Sequence, residues 1–328
     1  MRPAVHPAFA RLRRDAATVQ LGTEPGPTLI LGGLEPVVAD VVVGLDGRRR
    51  LTDLRRAVVQ RGGDPAALEA AVAELDRAGV LVDARLPPER VADVLVAGSS
   101  AAGVGGRRLA GTWVEVRGAD RVGAAAASLL AALGTGLVTV DDSRVTEPGE
   151  PCAGALTDED VGRRRGPAAE RVARAAGRRA RASERRPARP DLVLLAPGAL
   201  APRDTASALV AEGLPHLVVC AGATAGTVGP LVLPGVSSCV RCHDLYRADR
   251  DPAWSRLAQQ ADQVAPAGVC PVPLAWSLAA MAAQHVAVHL RGGAPPTVDG
   301  TVDVCLPDLL PRRRSWQPHP ACGCGWSG

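Results

Sequence analysis

One segment, VEVRGADRVGAAAASLLAALGTGLVTVDD at residues 114–142, limits this chain to few folds. An apolar strand pattern leads into a glycine turn, an alanine-rich helix pattern begins at Arg121, and a second strand pattern ends at Asp141. Parallel strands need a crossover connection of this kind, usually a helix, so the segment predicts a βαβ unit. Such a unit belongs to a larger sheet covered by helices.

The turn of this unit, RGADRVG, has glycines at Gly118 and Gly123 but Asp120 at the central position of the spacing G-x-G-x-x-G. In a phosphate loop, backbone N–H groups at the helix N-terminus face phosphate, and a later acid, here Asp141, binds the ribose hydroxyls. These four residues are the candidate nucleotide-binding residues. Because the Asp120 carboxylate repels phosphate, a structural turn and a working nucleotide site are both open interpretations.

The pattern of alternating strands and helices extends along most of the chain after residue 91, which predicts an α/β domain with a mostly parallel sheet. Strand patterns are VADVLVAGSS, TWVEVRG, PDLVLLAPG, LPHLVVCAGA and GPLVLPG. AGSSAAGVGG, at 97–106, predicts a loop. The segment DEDVGRRRGPAAERVARAAGRRARA predicts a helix with Thr157 or Asp158 as its N-cap. The mostly apolar helix at 273–290 needs cover on several sides, from the core or from a second subunit.

The first part of the chain has a different pattern. Residues 17–33 alternate apolar and polar positions around a Pro-Gly turn and predict a hairpin. Three helix patterns follow; the second has Thr52 as its predicted N-cap, and the third has Asp64 as N-cap with Pro65 at its first position. We predict a small winged-helix domain at 1–86, a linker and lead-in strand at 87–111, and the α/β domain at 112–328.

Composition excludes several functions. The 38 basic residues are all arginine, so a Schiff base or a phosphate-binding lysine is absent from this chain. A net charge of +4 is too small to indicate nucleic acid. The arginine run at 163–189 lacks aromatic residues and is interrupted by Glu170 and Glu184, which favours a solvated helix face. The sequence has no membrane-spanning run and no apolar signal region, so we expect a cytoplasmic protein.

The cysteines indicate a metal site. Cys239 and Cys242 form CVRC, and Cys322 and Cys324 form CGC near the end of the sequence. Two pairs of thiolates brought together by the fold make a tetrahedral structural zinc site. The alternative is a redox C-x-x-C, but such a motif begins a helix in a thioredoxin-like unit, and the sequence shows no such unit.

Other groups near these motifs are less specific. His243 and His319 are possible substitute ligands, although bystander positions fit them better. We expect Cys152, Cys220 and Cys305 to be buried packing residues. Cys270 precedes the long helix, where a nucleophile and a packed thiol are both open interpretations.

The order of the motifs from residue 112 onward resembles the ThiF/MoeB/HesA family. The resemblance rests on the glycine turn, LVTVDD, LTDEDVGRRR, PDLVLLAPG, GLPHLVVCAGATAGTVGPLVLPGVSSCVRC and the terminal cysteine pair. It implies a Rossmann-like domain that uses ATP and magnesium to adenylate the C-terminus of a small carrier protein. It also implies a homodimer, which we assign to the apolar helix at 273–290.

Several family residues are not matched here. Asp141 matches the ribose-binding acid, whereas the second acid is replaced by Ser143. EPGEPCAGA replaces the family segment that supplies a phosphate-binding arginine, Arg165 replaces the lysine after DVG, and Gly198 replaces the magnesium-binding aspartate. The cysteine pairs match. The resemblance therefore implies a retained scaffold and zinc site with a degenerate nucleotide site.

The segment LGGLEPVVADVVVGLDGRRRLTDLRRAV, with LEAAVAELDRAGVLVD after it, resembles the PqqD-like domains that bind leader peptides. Its fusion to a degenerate ThiF-like domain is the arrangement of azoline-forming cyclodehydratase partner proteins. This implies a scaffold that binds a precursor peptide at the hairpin near 17–33 and presents it to a partner modifying enzyme. The alternative is an active adenylyltransferase, acting on a carrier protein or peptide, whose phosphate ligands come from Arg163–Arg165 or Arg203.

Overall fold

A computed structural model describes residues 1–6, 9–23, 25–26, 28–84, 109–177, 188–198, 201–263 and 270–325, with backbone only for 261–263. The chain forms two compact units, Met1–Gly106 and Arg107–Gly328. The strand predicted at VADVLVAGSS, the loop at 97–106 and most of the linker lie outside the described residues.

The first unit contains a three-stranded antiparallel sheet, a separate strand pair and three helices. Its elements are β1 (Pro3–Val5), β2 (Arg11–Asp15), β3 (Thr18–Leu21), β4 (Leu29–Leu31), α1 (Pro36–Val43), α2 (Leu51–Gln60), α3 (Pro65–Arg77) and β5 (Leu81–Asp83). The sheet order is β2-β3-β4, and β1 pairs antiparallel with β5. The predicted hairpin is β3–β4. Sequence reasoning missed β2 because its five residues are all exposed and show no apolar alternation.

Local capping explains where the helices of this unit begin. The Asp64 carboxylate accepts a hydrogen bond from the backbone N–H of Ala66 at 2.8 Å, as predicted for the start of α3. The predicted N-cap at Thr52 is wrong, because α2 begins at Leu51 and Arg50 is its N-cap. The unit has its own core, formed by Val19, Leu21, Leu31, Val38, Val42, Leu54, Val58, Leu68 and Leu75.

The second unit is built on one seven-stranded sheet. Its elements are β6 (Trp113–Arg117), α4 (Arg121–Ala132), β7 (Leu137–Asp141), α5 (Arg165–Ala176), β8 (Leu192–Gly198), α6 (Arg203–Ala211), β9 (His216–Ala221), β10 (Ala225–Val232), α7 (Val240–Arg250), α8 (Trp254–Gln263), α9 (Val272–Leu290), β11 (Gly300–Cys305) and β12 (Arg312–Ser315). The strand order is β12-β11-β10-β9-β8-β6-β7.

This sheet is mixed. Strands β7, β6, β8 and β9 are parallel, whereas β10 pairs antiparallel with β9, β11 with β10, and β12 with β11. The predicted mostly parallel sheet is therefore confirmed only for the half that contains the glycine turn. Sequence reasoning missed β12 because RRRS is exposed at all four positions, as expected for an edge strand that relies on charge to avoid further pairing.

The structure changes the predicted start of α5 and shows what covers α9. The Thr157 cap belongs to a single 3₁₀ turn at Asp158–Asp160, and α5 begins only at Arg165. Helix α9 packs on α4 and against β9 and β10, and its buried positions include Leu274, Leu278, Ala282 and Val286. Its apolar composition is thus largely explained within one chain. Among the described residues, no helix is both long and apolar enough to cross a membrane.

Candidate functional site

The turn between β6 and α4 is held by two glycines that packing requires. Gly118 has φ +96°, and a Cβ atom there would lie 2.1 Å from the carbonyl oxygen of Ala196 in β8. A Cβ at Gly123 would lie 2.0 Å from the carbonyl oxygen of Gly118. These are the tight-turn and helix–strand packing roles of the first and third glycines in a dinucleotide loop.

Asp120 occupies the central position of the loop, where the G-x-G-x-x-G spacing has its second glycine. It is the N-cap of α4, and its Oδ1 accepts hydrogen bonds from the backbone N–H groups of Val122 at 3.0 Å and Gly123 at 3.1 Å. Burial raises the pKa of this carboxyl, and the two N–H donors oppose that effect. The chain's own side chain therefore takes the donors that a phosphate would use in a working loop.

The two acidic residues at the end of β7, Asp141 and Asp142, have different roles. The Asp141 side chain is exposed, and its backbone oxygen accepts from the Gly118 N–H at 3.0 Å. The Asp142 carboxylate is buried and accepts from the Ala119 N–H at 2.7 Å and from Arg144 at 2.8 Å. Burial alone would raise the pKa of Asp142, but these hydrogen bonds lower it. Sequence reasoning chose Asp141 and missed Asp142.

Arg165, one of the candidate phosphate ligands, is buried against acids of its own chain. Its Nε donates to Oε2 of Glu150 at 2.9 Å, a second nitrogen contacts Oε1, and Nη1 lies 3.9 Å from the Asp142 carboxylate. Glu150 also accepts from the backbone N–H of Glu147 at 2.8 Å. Glu150 lies in EPGEPCAGA, where the resemblance implied a cation. The side chains of Arg163 and Arg164 are exposed.

Arg121, at the start of α4, turns toward backbone carbonyls. Its guanidinium donates to the carbonyl oxygens of Cys270 at 2.6 Å and Pro151 at 3.2 Å, and it also contacts that of Gly149. Burial raises the pKa of the Cys270 thiol to about 11, so at neutral pH it is protonated. This favours the packed thiol over the nucleophile.

Arg203, the other candidate, lies at the start of α6. Its Nε donates to the Asp244 carboxylate of α7 at 2.7 Å. The same carboxylate accepts from Trp254 Nε1 at 2.9 Å and lies 3.5 Å from Arg247. Near these arginines, burial raises the pKa of the Cys220 thiol to about 12. Arg203, like Arg165, therefore has an internal carboxylate partner.

The four predicted zinc ligands lie together. Their Sγ atoms are all within 4.8 Å of one another, with 3.8 Å between Cys239 and Cys242, 3.6 Å between Cys239 and Cys322, and 3.3 Å between Cys242 and Cys324. A zinc ion bound to four sulfurs at about 2.3 Å holds them about 3.8 Å apart, so the cluster fits that ion. Four ligands leave no open position for chemistry.

The surroundings of this cluster fix its chemistry. Cys239 is the N-cap of α7, so the C-x-x-C begins a helix, but the surrounding unit is not thioredoxin-like. The hydrogen bond between Cys239 and Cys242 lowers the pKa of Cys242 and raises that of Cys239, and the backbone N–H of His319 donates to the Cys242 sulfur at 3.2 Å. Thiolate is the form that binds metal.

Neither nearby histidine belongs to the four-sulfur set. His243 stacks on Trp316 with ring centroids 4.4 Å apart, and its Nε2 lies 3.3 Å from Ser238 Oγ. His319 Nε2 pairs with Asp249 at 2.9 Å. The expectation that Cys305 is buried is wrong, because it is exposed at the end of β11.

No family model and no curated protein matches this chain. Solved structures do. E. coli MccB with AMPCPP and selenomethionine MccA aligns with a TM-score of 0.74 at 13% identity over 99% of each chain. The chain shares the fold of MccB. E. coli MccB with ATP aligns at 0.72 and 13% identity over 99% of this chain and 100% of that one. The heterocyclase TruD aligns at 0.61 and 16% identity, covering 99% of this chain and 43% of TruD.

Proposed function

We propose that this protein is a recognition scaffold of ThiF-like fold that binds a precursor peptide through residues 1–86 and presents it to a partner modifying enzyme. The observation that carries the proposal is the position of Asp120. Its carboxylate accepts from the backbone N–H groups of Val122 and Gly123, so the helix N-terminus of α4 is already capped by an anion. A triphosphate would have to displace that buried carboxylate and then lie beside like charge.

The two candidate phosphate-binding arginines support the same proposal. Arg165 is held by Glu150, and Arg203 is held by Asp244. Adenylation needs cations and magnesium ligands that act on developing phosphate charge. Here these two arginines are neutralised internally, the chain has no lysine, and Gly198 stands where the resemblance implies a metal ligand. These residues do not fit ATP with magnesium.

The peptide-binding part of the proposal rests on the first unit, which we interpret as the winged-helix, PqqD-like domain that the sequence predicts. Within the described residues, β3 is paired on both sides, so β4 and β2 are the edges of the three-stranded sheet. We assign the peptide to the β4 edge, because Ile30 there is 49% exposed and an added strand would cover it.

Two of the similar structures support the proposal that this chain binds a peptide. Structures of MccB include one with N-formylated MccA, and TruD is a heterocyclase. We extend peptide binding, and the setting of ribosomally made peptides, to this chain. The cysteine cluster is then a structural zinc site that joins the chain's C-terminal segment to α7.

The second candidate is an active adenylyltransferase acting on a carrier protein or peptide. The observation that favours it is the fold shared with MccB, whose structures include complexes with ATP and AMPCPP. In that case Asp141, exposed at the end of β7, binds ribose, and the exposed Arg163 and Arg164 approach phosphate.

Calorimetry with ATP and magnesium, with pyrophosphate exchange in the presence of candidate peptides, separates the two. We expect no ATP binding at millimolar concentration by the wild type. Micromolar binding that Asp141→Ala abolishes would establish the adenylyltransferase instead. Asp120→Gly is the informative companion, since it frees the helix N-terminus and restores the central glycine of the loop.

Peptide binding is measured separately, with the precursor peptides encoded near this gene as ligands. Saturable binding by the full chain is expected. Ile30→Pro introduces a residue that disfavours strand pairing at the β4 edge, and we expect it to remove binding. Val236→Thr, at an exposed β-branched position outside the first unit, is the matched control.

A further inference from the structure

A second surface of the first unit has the chemistry of a binding site. Five exposed residues follow one face of α2 at positions i, i+3, i+4, i+7 and i+8, and they are Thr52, Arg55, Arg56, Val59 and Gln60. The opposite face buries Leu54 and Val58 in the core of the unit. The helix is therefore anchored on one side and presents a continuous stripe on the other.

Two adjoining pockets lie along this stripe. The first, of about 660 Å³, is lined by Met1, Arg2, Arg50, Leu51, Thr52 and Arg55. The second, of about 520 Å³, is lined by Thr52, Arg55, Arg56, Val59, Gln60 and Pro65. They share Thr52 and Arg55, so together they form one groove, which we call the α2 groove.

The charge of the α2 groove is strongly segregated. Residues 1–84 carry 11 arginines and 11 acidic residues, so this part of the chain is balanced overall. Residues 46–61 nevertheless carry six arginines and two aspartates. Arg55 pairs with Glu69 at 3.0 Å and Arg56 lies 3.7 Å from Asp53, both at exposed positions. Within the described residues, no ion pair involves Arg2 or Arg50.

Apolar groups accompany these arginines. Val59 is 57% exposed and Met1 is 46% exposed, and each lines one of the two pockets. An arginine fork binds carboxylate through paired hydrogen bonds, and exposed apolar side chains gain from being covered. The surface is thus complementary to a chain segment that carries both acidic and apolar residues.

The neighbouring helix argues against nucleic acid. In winged-helix and related folds the third helix enters the major groove. Here α3 carries Glu69, Glu74 and Asp76 against one arginine, Arg77, and would repel phosphate. The basic surface also lacks aromatic residues on which bases could stack.

We propose that the α2 groove binds an acidic peptide segment, placing its carboxylates on the arginines and an apolar side chain against Val59. The ten residues of α2 span about 15 Å, which is the length of about ten residues of helix or four to five of extended chain. This site is separate from the β4 edge and does not require that peptide pair there.

The test is fluorescence anisotropy with the full chain at low salt. The probe is a fluorescein-labelled peptide of about twelve residues, glutamate throughout except for leucine at every fourth position. The comparison peptide has glutamine in place of every glutamate. We expect saturable binding of the acidic peptide only, weakened by added salt because the contacts are exposed ion pairs.

The variants locate the site. Arg50→Gln with Arg56→Gln is expected to raise Kd about tenfold, the sum of two exposed ion pairs. Arg14→Gln with Arg77→Gln removes the same charge from exposed positions elsewhere in the unit and is expected to leave Kd unchanged. Val59→Glu, also at an exposed position, is expected to weaken binding without unfolding, which circular dichroism verifies.

Three results would overturn the proposal. Equal weakening by both arginine pairs would mean attraction to overall charge. Equal binding of the glutamine peptide would exclude carboxylate recognition. Displacement of the peptide by a thymidine oligonucleotide at lower concentration than by unlabelled peptide would identify a nucleic-acid surface instead. Loss of ATP or precursor-peptide binding elsewhere affects none of these results.

Discussion

The carboxylate of Asp120 accepts a hydrogen bond from the backbone N–H of Gly123 at 3.1 Å, across the first turn of α4. Gly123 itself is required by packing, since a Cβ there would lie 2.0 Å from the Gly118 carbonyl oxygen. The turn thus keeps the glycine contacts of a nucleotide loop and supplies its own anion. This arrangement stabilises the helix start without a bound nucleotide.

Replacing Asp120 with asparagine tests this arrangement through pH. Burial raises the folded-state pKa of Asp120 above the ordinary value of 3.8, so the folded state binds the proton more tightly than the unfolded state does. The wild type therefore loses stability from this group as pH rises from about 4 through the raised pKa. The asparagine amide in the Asp120→Asn variant would cap the helix without ionising.

We therefore expect the free energy of unfolding of Asp120→Asn, minus that of the wild type, to increase over that pH range and then level off. Denaturant unfolding at a series of pH values measures it. Asp120→Ala, which removes the cap, should cost about 1 kcal/mol relative to asparagine at every pH. If the free energy of unfolding of Asp120→Asn minus that of the wild type fell as pH rose, the N–H donors would have a larger effect on the pKa of Asp120 than burial has.

The pair formed by Arg165 and Glu150 is buried, with side-chain exposures of 6% and 9%. Glu150→Ala leaves the guanidinium buried without its closest partner, and we expect a loss of about 3–5 kcal/mol. Arg174→Gln is the matched control, because it breaks an exposed pair with Glu170 on α5 and should cost at most about 0.5 kcal/mol.

Denaturant unfolding followed by tryptophan fluorescence measures both variants. All five tryptophans lie after residue 107, so the signal reports the second unit alone. A loss below about 1 kcal/mol for Glu150→Ala would mean that Asp142, 3.9 Å from Arg165, suffices to neutralise it.

The cysteine cluster predicts about one zinc ion per chain in the purified protein. Replacing Cys322 and Cys324 together with serine should remove the metal, because two remaining thiolates do not complete a tetrahedral site. Cys305→Ser, at an exposed position outside the cluster, should retain it. Elemental analysis measures the metal content, and full occupancy in the double variant would contradict the ligand set.

We also expect a homodimer that forms through the outward face of α9. Ala280 is exposed in the middle of that helix, and Ala280→Arg should produce monomers by adding a charge to an apolar contact. Ala208→Arg, at an exposed alanine of α6, should remain dimeric. Light scattering at micromolar concentration measures both. A stable wild-type monomer would remove this prediction.

Features that depend on neighbours in the chain could be predicted from the sequence. The βαβ unit follows from apolar periodicity and the glycines at 118 and 123, and the start of α3 follows from Asp64 and Pro65. The four cysteines were identifiable because two closely spaced pairs are an uncommon pattern with few chemical uses. Polar helices such as α7 and the all-exposed strands β2 and β12 were missed because they carry no apolar periodicity.

Side-chain partners depended on the tertiary structure. Successive residues near a strand end point to opposite sides, so the sequence could not decide between Asp141 and Asp142; the fold buries the second against the glycine turn. Glu150 lies 15 residues from Arg165, and Cys239 lies 83 from Cys322. No local propensity encodes those separations. The sequence by itself determined which chemical groups and local elements are present, whereas chain packing decided that Arg165 and Arg203 meet internal carboxylates.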